Sequence, residues 1–426
     1  MRAVRFDAFG EAPYVAEVAM PTAVEGGAVI RVEAAGLCRS DWHGWQGHDP
    51  DIRSLPHTPG HEFAGVVHAV GDGVTRVRVG DRVVVPFVCG CGECTWCESG
   101  NAQVCPNQWQ PGFQGPGAYA EFVAIPWADF NVVKLPDGLP FDVAASLGCR
   151  FATSYRGIVD VVGVRSGDTV AVFGCGGVGL AAVMIARSRG ARVIGVDVDD
   201  RALALASRAG ADITVDASAG DAAEVIRAVM PHGVNVAVDA LGSVATASSA
   251  TRSLCIHGRH LQIGLLPPAR IGDHATVPMH TVIGRELSVR GSHGMAAADY
   301  PRLLADIAAG RGYSQVVTGR GRLVVVSGQV AQDEHGELVG AGDPAAQAQQ
   351  VFENLRRCLA DAGAGFGDVV KLAFFVLDVA DLPAVRSARD AVIDTARPPA
   401  STAVQVAALF APGYLLEVEA LALVDD

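Results

Sequence analysis

The sequence predicts an α/β chain of more than one domain: a β-rich front section, a doubly wound parallel sheet in the middle and a smaller α+β tail. Three observations predict it. At 426 residues the chain exceeds what one hydrophobic core fills. The stretch "DTVAVFGCGGVGLAAVMIARSRGARVIGVDVDD", residues 168 to 200, reads as strand, glycine turn, helix, strand. From residue 312 onward the pattern changes to alternating strands and an amphipathic helix.

Composition narrows the function. Half the residues are apolar, ample for real cores. The formal net charge is −13 and no lysine or arginine run occurs, so the electrostatic footprint of a nucleic-acid binder is missing and small molecules are the expected partners. No apolar stretch approaches the roughly 18 residues needed to cross a bilayer, so no membrane association is expected. Near Met1 there is no basic segment followed by an apolar one, which points to a reducing, cytoplasmic setting. There, clustered cysteines more often bind metal than form disulfides.

The front section opens with the strand-like run "AVIRVEAAG", followed by "GLCRSDWH" and, after a Pro-rich turn, "PGHEFAGVV" (59 to 67). Next comes "CGCGECTWCESGNAQVC", residues 89 to 105. Cys91, Cys94, Cys97 and Cys105 sit on one glycine-containing loop at spacings of three, three and eight. Four thiolates so spaced close tetrahedrally around one Zn²⁺ and leave no open position, as in a structural site. A thioredoxin-type pair would instead open a helix after a strand. Cys89 is the spare, read as a half-buried free thiol that could replace Cys91 if the loop shifts register. A closed zinc does no chemistry, so a second site is needed. Cys38, His61 and Cys149, the last in "SLGCRFATSYRG", would supply two thiolates and an imidazole with a fourth position open.

In the middle section Gly174, Gly176 and Gly179 form G-x-G-x-x-G, with Gly177 as an additional glycine. The pattern follows a β-rich run and opens an Ala-rich helix, where free N–H groups and the helix dipole favour a dinucleotide pyrophosphate. Asp197 ends the second strand, eighteen residues beyond Gly179, where a carboxylate bonds ribose hydroxyls and repels a 2′-phosphate. NAD is therefore expected over NADP. "VNVAVDALG" (234 to 242) and "GRHLQIGL" (258 to 265) read as further buried parallel strands, and 299 to 311 as an amphipathic helix.

Taken together and in this order, "GLCRSDWH", "PGHE", the four-cysteine loop and "LGCRFATSYRG" resemble the zinc-dependent alcohol dehydrogenases of the medium-chain dehydrogenase/reductase superfamily, over residues 1 to about 311. The resemblance implies a GroES-like catalytic domain over 1 to 150, a Rossmann domain over 151 to 290 and a residual helix over 291 to 311. It implies Cys38, His61 and Cys149 as ligands of a catalytic zinc, with Glu62 just behind it and Asp41 orienting His61 through its second ring nitrogen. Ser40 would accept the substrate hydroxyl proton and pass it towards His43, because zinc lowers the pKa of an alcohol as it does that of water. By the same resemblance Arg39 would lie on the pyrophosphate, Thr153 near the nicotinamide ring, and Gly264 and Leu265 against the nicotinamide. Trp42, Trp45, His48, Trp109 and Phe113 are expected near the pocket of a small alcohol or aldehyde substrate.

The family's usual return segment is missing after residue 311. Instead "YSQVV", "VSGQVA", "QVFENLRRCL", "DVVKL" and "PPASTAVQVAAL" resemble the reactive-intermediate (imine) deaminases, the RidA-like proteins, over 312 to 426. This implies a chorismate-mutase-like α+β unit. Deaminating members carry an arginine after Pro-Ala to hold a substrate carboxylate bidentately. Ser401 stands there in this chain, so standard imine deaminase activity is not expected; Tyr313 and Glu419 match cleft positions, and Arg386 is the candidate substitute cation. Both resemblances imply a homo-oligomer. A rival reading is a catalytically impaired nucleotide- and zinc-binding scaffold whose tail drives oligomerisation or binds a ligand.

Overall fold

The computed structural model describes residues 1 to 218, 220 to 266, 277 to 309, 321 to 395 and 398 to 424. The chain forms two compact units, Met1–Ala305 and Asp306–Asp426. Their division falls inside the helix Tyr300–Ala309, the amphipathic segment expected at 299 to 311.

The first unit begins with the antiparallel ribbon β1 (Arg2–Arg5) and β2 (Tyr14–Glu17). An antiparallel sheet follows: β3 (Ala28–Ala35), β4 (Phe63–Val70), β5 (Arg82–Val85), β6 (Phe122–Ile125) and β7 (Val133–Lys134), in the spatial order β6-β3-β4-β5-β7. Its inward row, Ala28, Ile30, Phe63, Val67, Val83, Val85, Val123 and Ile125, is buried in one cluster. The alternate residues Val29, Ala64 and Val84 are buried as well, so the centre of the sheet is covered on both faces. The connections leaving this sheet, not the strands, carry the cysteines and His61.

The second half of the unit is the doubly wound sheet. Its six parallel strands are β8 (Thr169–Phe173), β9 (Arg192–Asp197), β10 (Ile213–Asp216), β11 (Val234–Asp239), β12 (Leu254–Gln262) and β13 (Ser288–Gly291), in the order β10-β9-β8-β11-β12-β13. All five residues of β8 are buried, as a central parallel strand covered on both faces must be. Strand order reverses between β8 and β11, which opens the ligand crevice beyond their carboxyl ends. Strand β12 begins four residues before the 258 expected from the sequence.

In the second unit β14 (Arg322–Gln329), β15 (Val369–Val376), β16 (Ala400–Gln405) and β17 (Leu416–Val424) form a sheet in the order β14-β17-β15-β16, with β15 and β16 parallel. The helices Pro344–Asp361 and Leu382–Asp390 complete it, and Val351, Leu355 and Leu359 of the first are buried against Leu372, Phe374 and Val418. Of the alternating strands expected from residue 312 onward, residues 312 to 320 lie outside the described ones; β14 pairs antiparallel with β17, the last strand.

Candidate active site

Three connections meet to form the site. Cys38 caps the helix Arg39–Trp45, where its N–H donates to Oδ2 of Asp41 at 2.9 Å. His61 lies on the turn entering β4, and Cys149 caps the helix Arg150–Arg156. The hydroxyl of Tyr300, fully buried, donates to the carbonyl of Leu147 at 2.7 Å and so fixes the Cys149 turn. The ligand atoms of Cys38, His61 and Cys149 all fall within 4.8 Å of one another, and all three residues are buried.

The donor set suits zinc. Nδ1 of His61 is held 2.9 Å from Oδ1 of Asp41, while its Nε2 is buried with no hydrogen-bond partner, an orphan that a metal bond would satisfy. The hydrogen bond from Cys149 pulls the Cys38 thiol down to about 4 and, with burial, holds the Cys149 thiol up; Cys38 and Cys149 would hold a metal ion as thiolates. Oδ2 of Asp41 also accepts from the Tyr119 hydroxyl at 2.8 Å, and burial together with that carboxylate keeps the Tyr119 phenol protonated. Sequence reasoning missed Tyr119.

It also missed Arg150. Glu62 is fully buried, and Arg150 bonds it three times: its N–H at 3.1 Å, Nε at 2.7 Å and Nη2 at 2.6 Å. Burial pushes the Glu62 carboxyl up, although the Arg150 cation works against the rise. Ser40 lies 3.9 Å from the Cys38 sulfur. Ser40 and His43 stand three apart on one helix and share its face. Beyond them Nδ1 of His43 meets Nδ1 of His48 at 3.1 Å. The ring of Phe113 stands 5.1 Å from His61 and that of Phe87, another residue the sequence did not single out, 6.0 Å. Trp109 is corrected: it packs into the front-sheet core and its backbone pairs with Cys89, so it does not line this site.

Cys91, Cys94, Cys97 and Cys105 bring their sulfurs together within 4.8 Å, with Cys105 at 3.6 Å from both Cys91 and Cys94. All four are free thiols, a donor set that fits a closed tetrahedral zinc. Cys89 is fully buried in the sheet core, where burial pushes its thiol up, and takes no place in the cluster.

The glycines of the crevice differ in what surrounds them. Gly174 takes φ +90° in the turn after β8. A Cβ on Gly179 would lie 1.8 Å from the Gly174 carbonyl oxygen, so only glycine lets the helix Gly177–Ser188 pack so close. A Cβ on Gly176 would meet nothing within 4 Å, which leaves the helix N-terminus open to a ligand. Asp197, at the end of β9, accepts from the N–H of Cys175 at 2.6 Å and of Val198 at 2.7 Å. A Cβ on Gly264 would touch the Gly242 nitrogen at 2.2 Å, so the loops after β11 and β12 abut, with Leu265 half exposed beside them. Thr153 is buried and its Oγ1 has no partner. The Arg39 guanidinium stacks on Trp42, 4.2 Å from the ring centre.

Comparison with known proteins bears on this geometry. Residues 24–137 match the family model for the alcohol dehydrogenase GroES-like domain and residues 177–309 that for zinc-binding dehydrogenases. An alcohol dehydrogenase of Geobacillus stearothermophilus is 36% identical over 293 residues, spanning 68% of this chain and 84% of the relative. The chain belongs to the zinc-dependent alcohol dehydrogenases. Another relative of this dehydrogenase, an NAD-dependent alcohol dehydrogenase of Saccharolobus solfataricus, is 37% identical over 62% of this chain and 78% of its own length. The crystal structure of an NAD-dependent alcohol dehydrogenase, 33% identical, superposes with a TM-score of 0.66 over 73% of this chain and 90% of that one.

The remainder of the dehydrogenase, residues 304–424, matches the family model Endoribonuclease L-PSP, the RidA-like family. Register separates two of the residues singled out there. Ser401 and Ala420 both pair with Leu372 in the buried row, whereas Glu419 and Thr402 both pair with Ala373. Successive residues point to opposite faces, so Ser401 and Glu419 do not share one cleft within this unit. Arg386 is exposed on its helix, and Tyr313 lies outside the described residues.

Proposed function

We propose that the chain oxidises small alcohols to aldehydes or ketones with NAD, at the site built by Cys38, His61 and Cys149. The observation that carries this reading is the buried, unpartnered Nε2 of His61 between two thiols, its ring fixed from behind by Asp41. In that site zinc would supply Lewis acidity towards the alcohol oxygen and NAD the hydride acceptor.

The chain's own groups do the rest. Asp41 holds His61 in one tautomer, and Tyr119 and the Cys38 N–H hold Asp41. Ser40 takes the hydroxyl proton and His43, on the same helix face, carries it outward. Glu62 lies behind the metal ligands. Phe87 and Phe113 give the pocket an apolar wall suited to a small alcohol. Gly174, Gly176, Gly177 and Gly179 cradle the diphosphate, assisted by Arg39, and Asp197 holds the adenosine ribose. Thr153, with its unpartnered hydroxyl, and Gly264 and Leu265 receive the nicotinamide. Cys91, Cys94, Cys97 and Cys105 hold a structural zinc. The domain limits are those set by the motifs: 1 to 150, 151 to 290, 291 to 311 and 312 to 426. The protein acts in the cytoplasm as a homo-oligomer, and its RidA-like unit lacks standard imine deaminase activity because Ser401 replaces the carboxylate-binding arginine. Among the described residues no helix is long and apolar enough to cross a membrane.

The test is NADH formation at 340 nm with primary and secondary alcohols, comparing wild type with Cys38→Ser. Turnover in the wild type that is lost in the variant, with the four-cysteine zinc retained, supports the reading. A wild type that binds NAD but oxidises no alcohol leaves the scaffold reading in its place.

A further inference from the structure

The extra glycine of the nucleotide turn has a neighbour that explains it. A Cβ on Gly177 would lie 2.5 Å from Cδ of Arg150 and 3.1 Å from its Nη1, so any side chain there would drive Arg150 away. The opposite edge of the same guanidinium, Nε and Nη2, is taken by the buried carboxylate of Glu62. A Cβ on Gly36 would meet Nη2 at 2.8 Å and Glu62 at 2.4 Å, so the pair is also walled in from that side. Nη1 donates to nothing among the described residues, and the Arg150 side chain keeps 28% of its exposure. The planar fork is thus half used: one edge is locked on Glu62, and the remaining donor faces the first residue of the helix whose free N–H groups await a diphosphate.

From this geometry we propose that Arg150 is a cofactor-binding residue: it reaches across the crevice to the NAD diphosphate at Gly177 while its other edge stays clamped on Glu62. The inference rests on the dehydrogenase reading of the site and extends it. Arg39, expected on the same pyrophosphate, stacks on Trp42, and Arg150 adds a second cation, one placed directly beside Gly177. Arg150 also lies within Coulombic reach of Cys38 and Cys149, so one side chain connects the nucleotide turn with the metal ligands. A dinucleotide bound at Gly177 would fix the guanidinium, and with it Glu62.

The experiment is calorimetric titration of the zinc-loaded full chain with ADP-ribose, which carries the diphosphate but no nicotinamide. Arg150→Gln should raise Kd at least about tenfold, the loss of one charge-assisted contact. Removing the cation strands a buried carboxylate, so the variant E62Q/R150Q, which replaces the ion pair by two neutral amides, keeps the test sound. It should still bind ADP-ribose at least about tenfold more weakly than E62Q alone, in which the guanidinium remains, while retaining both zincs. If Arg150 serves only to neutralise Glu62, E62Q/R150Q will bind as tightly as E62Q alone, and the proposal is overturned. A wild type with no affinity for ADP-ribose overturns the dehydrogenase reading itself.

Discussion

Gly176 and Gly179 belong to one motif, yet the structure assigns them opposite burdens, and alanine at each position separates them. At Gly176 the φ of −77° is ordinary for any residue and the added methyl meets nothing within 4 Å. Alanine there removes unfolded-state entropy, which stabilises by about 0.4–1 kcal/mol. It is also a poorer N-cap residue than glycine, which costs a similar few tenths. The net change stays within about 1 kcal/mol, a melting shift of no more than a few degrees for a unit of this size. The open space beside Gly176 is, however, where a diphosphate must approach the helix. Gly176→Ala should therefore bind NAD at least about tenfold more weakly, about 1.4 kcal/mol, with a melting midpoint within a few degrees of the wild type. At Gly179 the methyl would lie 1.8 Å from the Gly174 carbonyl oxygen, deep inside contact distance, so Gly179→Ala should lower stability by about 1–3 kcal/mol as well as binding. The assay pairs thermal melting with NAD titration. A G176A variant with wild-type NAD affinity would refute the placement of the nucleotide at this turn.

Asp41→Asn turns an acceptor that serves His61, Cys38 and Tyr119 into a group with one donor end; zinc retention under a chelator should fall about 10–100-fold in the three-ligand site, read by metal analysis, while the four-cysteine zinc stays. Asp221 caps the helix Ala222–Val229 and pairs with Arg252, whose hydrogen bond holds its carboxyl below the usual range. A depressed carboxyl stabilises above its unfolded pKa of about 3.9 and loses that contribution as pH falls through the folded value. Asp221→Asn should thus unfold about 0.5–1 kcal/mol more easily than wild type at pH 7, with the gap closing below about pH 4 in urea melts. Leu355, fully buried in the core of the second unit, should cost about 2–5 kcal/mol when replaced by alanine, seen as earlier proteolysis of residues after 305 with NADH production unchanged.

The residues legible in the sequence were those whose chemistry is written at short range. Cys91, Cys94, Cys97 and Cys105 share one loop, and Gly174, Gly176 and Gly179 one turn, so spacing alone constrains where their atoms go. Cys38, His61 and Cys149 became legible through the order of their motifs, since no local pattern joins residues so far apart. Tyr119 and Arg150 left no such trace. Each meets its partner across 78 and 88 residues respectively, through contacts that exist only once the front sheet and the first helix of the nucleotide half have packed. Trp109 shows the converse: an aromatic in a polar loop reads as a pocket wall but packs, partly buried, against the front-sheet core. In the tail, alternation identified β14 as a strand and could not name its partner, because pairing with β17 is a long-range choice. Ser401 and Glu419 fall on opposite faces for a similar reason, since register and not motif sets the face.

The central claim is that this one chain assembles both metal sites and a working nucleotide crevice although a RidA-like unit follows where the dehydrogenase would return. Metal analysis by mass spectrometry on the purified full chain, combined in the same sample with absorbance at 340 nm after adding NAD and mixed short and aromatic alcohols, tests it directly. The account predicts two zincs per chain, one for each ligand group, with NADH appearing. One zinc per chain and no NADH would contradict it: the cysteine loop would then be built while the site of Cys38, His61 and Cys149 is not.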